Sequence, residues 1–82
     1  MSPPEILVDA RGHRCPVPTL RLRRALERAP AGASVRLLAD DPLARIDVPH
    51  FVTGTDWVLL AQEIEGEVLS FLVGRSAGDS AA

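Results

Sequence analysis

Turn-forming residues recur along this chain at short intervals: Asp9 to Gly12, Pro30-Ala31-Gly32, Asp40-Asp41-Pro42, Gly54 and Glu65-Gly66. Each cluster favours a break in regular structure, because proline fixes φ and lacks an N–H, glycine tolerates positive φ, and aspartate bonds to nearby backbone. The runs between them have room for one short helix or strand each. None approaches the roughly 20 apolar residues of a membrane span.

The runs differ in period. Glu5-Ile6-Leu7-Val8-Asp9 is a short apolar stretch and reads as a strand. Residues 16–29 place Leu22, Ala25, Leu26 and Ala29 at helical spacing, with Arg21, Arg24 and Arg28 on the other side and Pro16 expected at the first helical position. Residues 34–39 read as a strand with Val35 and Leu37 inward, opposite Ser34 and Arg36. Pro49 argues against one regular helix after Pro42, so a loose turn over 42–46 is expected, then a short helix capped by Asp47 and ending at Gly54. On that stretch Leu43, Ile46, His50 and Phe51 share a face, which makes His50 a core or half-buried side chain. Residues 57–64 and 67–73 are β-rich and joined by Glu65-Gly66, a hairpin signal, with Trp57 opening the first of them and packing against a helix. The order is β-α-β-α-β-β. It predicts an α+β fold, a two-layer α/β sandwich with two helices on one face of a four-stranded mixed sheet.

At 82 residues the chain fits one domain, expected to span 1–82 with its core over about 5–75 and a loose, small and polar tail from about Gly74, chiefly 76–82. Hydrophobic residues make up 46 %, which argues for a globular fold rather than disorder. Met1-Ser2-Pro3-Pro4 lacks the regions of a signal peptide, and the cytoplasm is the expected location. All nine basic residues are arginine, against eleven acids. The resulting charge of −2, with no lysine or tyrosine, disfavours direct nucleic-acid binding.

Cys15 is the one cysteine, and it lies in His13-Arg14-Cys15-Pro16-Val17-Pro18, where the first strand gives way to the first helix. One cysteine forms no internal disulfide, and His13 and His50 are too few to complete a zinc site, so neither a metal nor another cofactor is expected. Two prolines, two arginines and a histidine make poor wall material for a buried apolar cell, which favours a reactive thiol over a core cysteine. The helix dipole, with Arg11 and Arg14, is expected to lower the thiol pKa below about 8.5, and helix N–H groups to hold an anionic sulfur. His13 reads as a solvated loop residue rather than an acid or base. Asp9 reads as a support of the loop backbone, and Asp40-Asp41 as an Asp-Pro turn rather than an acid/base pair or Mg²⁺ site. Arg11, Arg14, Arg21, Arg23 and Arg24 fall within fourteen residues, either a solvated face or, through Arg11, Arg14, Arg21 and Arg24, a docking patch.

Asp9-Ala10-Arg11-Gly12-His13-Arg14-Cys15-Pro16-Val17-Pro18, Ala39-Asp40-Asp41-Pro42 and Arg45-Ile46-Asp47-Val48-Pro49-His50-Phe51 together strongly resemble the TusA/SirA-like sulfur-carrier family. The resemblance runs from about Ile6 to Arg75. It implies a persulfide on Cys15, with Pro16, Pro18, Asp9 and Gly12 as motif and support. It also implies a cysteine desulfurase or rhodanese as donor, a downstream acceptor protein, and a carrier of sulfurtransferase type rather than a turnover enzyme. Thiolation of tRNA, molybdenum-cofactor assembly, inorganic sulfur oxidation and selenium metabolism are all served by such carriers. Many members have a second cysteine after the phenylalanine of the third motif; here that position is Val52, so an internal resolving thiol is excluded. The alternative is a regulatory or adaptor module without sulfur chemistry, which would tolerate Cys15→Ser.

Overall fold

A computed structural model describes residues 4–75. Six elements follow in the expected order: β1 (Glu5–Asp9), α1 (Val17–Arg28), β2 (Ser34–Ala39), α2 (Ala44–Thr53), β3 (Val58–Glu65) and β4 (Val68–Gly74). The strands form one mixed sheet in the order β1-β2-β4-β3. β1 and β2 are parallel, with Glu5 opposite Ser34 and Asp9 opposite Leu38. β4 runs antiparallel to both β2 and β3.

Period-2 alternation decides which face of the sheet takes the helices. Val35, Leu37 and Ala39 of β2 and Leu69, Phe71 and Val73 of β4 are buried, and they share one core with Leu22 and Leu26 of α1 and Ala44, Val48 and Val52 of α2. The opposite face holds Arg36, whose guanidinium donates to Glu5 at 2.9 Å and to the Ser70 hydroxyl at 2.8 Å. Because β1 and β2 are parallel, the loops that leave their C-terminal ends emerge side by side at the same sheet edge, where open α/β sheets build their sites.

α1 keeps the expected inward and outward faces, but its ends shift by one residue. Pro16 is the N-cap rather than the first helical residue, Pro18 is buried in the first turn, and Ala29 is the C-cap. The hairpin turn also moves one residue, to Gly66-Glu67: Glu65 pairs with Val68, and Gly66 takes φ +63° at the first turn position, where glycine is favoured.

α2 corrects the sequence reading more substantially. It is one helix from Ala44 to Thr53 with Pro49 inside it, its N-cap is Leu43, and Asp47 lies in its first turn rather than capping it. The start is secured upstream: the Asp41 side chain accepts the Leu43 N–H at 3.1 Å and its carbonyl accepts the Ala44 N–H at 2.9 Å. Pro49 leaves the Arg45 carbonyl without its usual intrahelical donor, but Arg45 is exposed and water can serve that oxygen. The buried stripe is Ala44, Val48 and Val52, spaced four residues apart. The larger Leu43 and Ile46 remain 55 % and 69 % exposed, and His50 is exposed rather than a core histidine. Small side chains win the core positions because they let the helix lie close to the sheet.

Gly74, expected in the loose tail, is buried as the last residue of β4 and pairs with Val58. Residues 76–82 lie outside the described residues. Trp57 immediately precedes β3, is half-buried at the edge of the core, and has the Arg75 guanidinium 4.7 Å above its ring.

Candidate functional site

The chain between β1 and α1 is folded by short hydrogen bonds into a compact loop. Ala10 N–H extends the β1–β2 ladder by donating to the Leu38 carbonyl at 2.8 Å, His13 N–H returns to the Ala10 carbonyl at 3.2 Å, and Val17 N–H to the Arg14 carbonyl at 2.9 Å. Gly12 sits at φ +86°, a conformation that residues with a Cβ rarely adopt. The Cys15–Pro16 peptide bond is cis. Cys15 itself is half-buried and packs on the rim of the core.

Three carboxylates stitch this loop in place. Asp9, at the end of β1, accepts from Arg11 three times: from the backbone N–H at 3.1 Å, Nε at 2.9 Å and Nη2 at 2.8 Å. Both oxygens of Asp40, just past β2, accept the Gly12 N–H, at 3.0 and 3.1 Å. Asp41 Oδ2 accepts the Cys15 N–H at 2.7 Å while its Oδ1 holds Leu43. The Asp-Pro turn expected at 40–42 is present, but both of its aspartates also reach across to the cysteine loop.

These contacts reverse the electrostatic expectation for the thiol. Burial, then hydrogen bonding to Asp47 and its negative charge, then the charge of Asp41, push the Cys15 pKa up to about 11. The Asp41 carboxyl is lowered, first by the Cys15 N–H, then by that of Leu43, with Arg14 adding its positive charge. The expected positive environment fails for identifiable reasons. Arg11 is paired with Asp9, whose carboxyl it lowers to about 2, and Arg21 is turned to the Asp9 carbonyl at 3.2 Å. The start of α1 also has few donors to offer. Pro16 and Pro18 have no N–H, Val17 is bonded to Arg14, and Leu20 to the Pro16 carbonyl at 3.0 Å, so Thr19 has the one first-turn amide not engaged by these bonds. Among the described residues the buried Thr19 hydroxyl has no hydrogen-bond partner.

The predicted site residues thus separate into groups. Cys15, Asp9, Gly12, Pro16, Pro18, Arg11 and Arg21 meet in or against the loop. Arg14 and Arg24 are exposed and have no ion-pair partner among the described residues. His13 is exposed, and its ring makes no hydrogen bond to the thiol among those residues. Sequence reasoning missed Asp41 and Asp47 as neighbours of Cys15. The available signal was the parallel pairing itself, since a β-α-β unit brings the residues after β2 beside those after β1. Among the described residues no cluster of ligands suits a metal ion, and no helix is long and apolar enough to cross a membrane.

Fold and loop together define a small two-layer α/β protein that carries one cysteine at the carboxyl edge of a parallel strand pair. A family profile described as Sulfurtransferase TusA matches residues 6–75. The chain belongs to that family, and membership implies a sulfur-carrier role in relay with other proteins.

Proposed function

We propose that this protein carries sulfane sulfur as a persulfide on Cys15, receiving it from a cysteine desulfurase or rhodanese and passing it to an acceptor protein in the cytoplasm, where an unpaired thiol stays reduced. The observation that carries the reading is the position of the chain's one thiol, on a braced loop at the carboxyl edge of the parallel pair in a TusA-family chain. In the transfer, the Cys15 sulfur attacks the outer sulfur of the donor persulfide. A new S–S bond forms on Cys15 as the donor's S–S bond breaks, and the donor cysteine leaves as thiolate. With the resting thiol protonated, its proton passes to that leaving thiolate. Nothing is oxidised or reduced overall, and no cofactor enters the balance. Onward transfer repeats the exchange with an acceptor thiolate as the attacking group.

Incubation with a cysteine desulfurase and cysteine, or with a rhodanese and thiosulfate, should add about 32 Da to the Cys15 peptide, removable by a thiol reductant. Cys15→Ser should gain nothing. Retention of the label in that variant refutes the reading. The protonated, half-buried thiol is the one observation that favours an adaptor role instead, and that role predicts no label in the wild type and full partner binding by Cys15→Ser.

A further inference from the structure

The Asp41 carboxylate does more than an Asp-Pro turn requires. Starting α2 needs Oδ1 on the Leu43 N–H and the backbone carbonyl on the Ala44 N–H. It does not need Oδ2 on the N–H of a residue 26 positions earlier, at 2.7 Å the shortest of the bonds that reach the cysteine loop. Asp40 repeats the pattern on Gly12, 28 positions earlier. Two consecutive side chains after β2 thus grip both ends of the segment that carries the sulfur, and one of the grips falls on the one loop glycine at positive φ.

We propose that Asp41 is a positioning residue for sulfur transfer: one carboxylate shared between the Cys15 and Leu43 N–H groups locks the sulfur-bearing loop to the start of α2 and so fixes where Sγ meets the donor. The role rests on the carrier reading above. Asp41 acts through the backbone of Cys15, and Asp40 supports it through Gly12. Attack on a disulfide-like sulfur needs alignment of the three sulfurs, and a displacement of about 1 Å can cost on the order of 100-fold in rate. A loop with one glycine at positive φ and exposed flanks holds that alignment only if its amides are tied.

The carboxylate also lies near the thiol and opposes its ionisation, together with Asp47 of α2 and against Arg14 of the loop. Removing it therefore has two effects of opposite sign, and this makes the proposal separable from a purely electrostatic role. Wild type, Asp41→Asn and Asp41→Ala are compared in three assays. These are iodoacetamide alkylation against pH, amide exchange of Cys15 and Gly12, and the rate of sulfur loading from a cysteine desulfurase charged with cysteine, followed by mass over a range of donor concentrations. Asp41→Ala should alkylate faster than wild type at pH 8 and exchange its Cys15 amide faster, yet load sulfur roughly 10- to 100-fold more slowly at saturating donor, with half-saturation little changed. Asp41→Asn, which keeps one carbonyl oxygen for one of the two amides, should fall between. It also serves as the test variant if Asp41→Ala does not fold. Loading that rises along with alkylation, or loading equal to wild type in a well-folded variant, overturns the proposal. A wild type that takes up no sulfur overturns the carrier reading and this role together, whereas a loading wild type beside unslowed variants overturns this role alone.

Discussion

Replacing Asp47 with asparagine should make Cys15 a faster nucleophile toward small electrophiles. With a pKa raised from 9.0 to about 11, about 0.1 % of the thiol is ionised at pH 8, against about 9 % without the shift. Complete relief would thus raise the thiolate population about 90-fold. The relieved thiolate is also less basic, and a Brønsted slope of about 0.45 across about 2 pH units removes roughly 8-fold of intrinsic reactivity, leaving a ceiling of about 11-fold. Asp47 supplies a hydrogen bond and a charge, while burial, the largest cause, and Asp41 both remain after the substitution. The variant should therefore react about two- to fourfold faster than wild type at pH 8. Iodoacetamide alkylation followed by mass from pH 6 to 12 measures this, and its shape matters as much as the rate at one pH. The Asp47→Asn variant should show a lower midpoint and, above both midpoints, a lower plateau, so the two curves cross. Identical profiles would mean that the Asp47 carboxylate does not hold the thiol proton. A variant slower than wild type at pH 8 would mean that Asp47 promotes attack in the absence of a donor, contrary to the reasoning.

Two further outcomes follow from the same contacts. Arg14→Glu with Arg24→Glu removes the two cluster arginines whose side chains make neither an ion pair nor a hydrogen bond among the described residues and should slow association with an acidic-rimmed donor roughly tenfold at low salt, an effect that fades as salt screens charges beyond about 10 Å at 0.1 M; equal association rates at low salt would leave the arginines a solvated face. Thr19→Val replaces a buried, unpartnered hydroxyl with a methyl of the same shape and should stabilise the fold by about 1 kcal/mol, and a lower melting temperature would show that the hydroxyl is satisfied in solution.

What the sequence disclosed and what it hid follow a single physical division. β1, β2, the hairpin and α1 are written in local periodicity by strong apolar residues, and each formed within a residue or so of its expected place. α2 was hidden because Pro49 carries a visible local cost, whereas its compensation is spread over Ala44, Val48 and Val52, which matter only once a sheet lies beneath them. Cys15 stood out as a candidate because composition and motif are local properties. Its ionisation was misjudged because the deciding charges belong to Asp41 and Asp47, distant in sequence, and because Arg11 and Arg21 are turned toward Asp9. Even the helix start, a donor-rich feature in general, is depleted here by the prolines that make it recognisable.

That dependence on distant residues runs through the parallel β1–β2 pair. Had the two strands been antiparallel neighbours, the segment after β1 and the segment after β2 would leave opposite edges of the sheet, and no side chain as short as aspartate could join them. Parallel pairing puts Asp40 and Asp41 within hydrogen-bond reach of Gly12 and Cys15. It also starts α2 beside the start of α1, which brings Asp47, in the first turn of α2, to face the thiol. Its carboxylate there sits at the positive end of its own helix, a favourable place for the charge that keeps Cys15 protonated. The topology therefore sets the position of the sulfur and its protonation through the same few aspartates, so substitutions at Asp41 alter both at once, while Asp47→Asn should alter protonation alone.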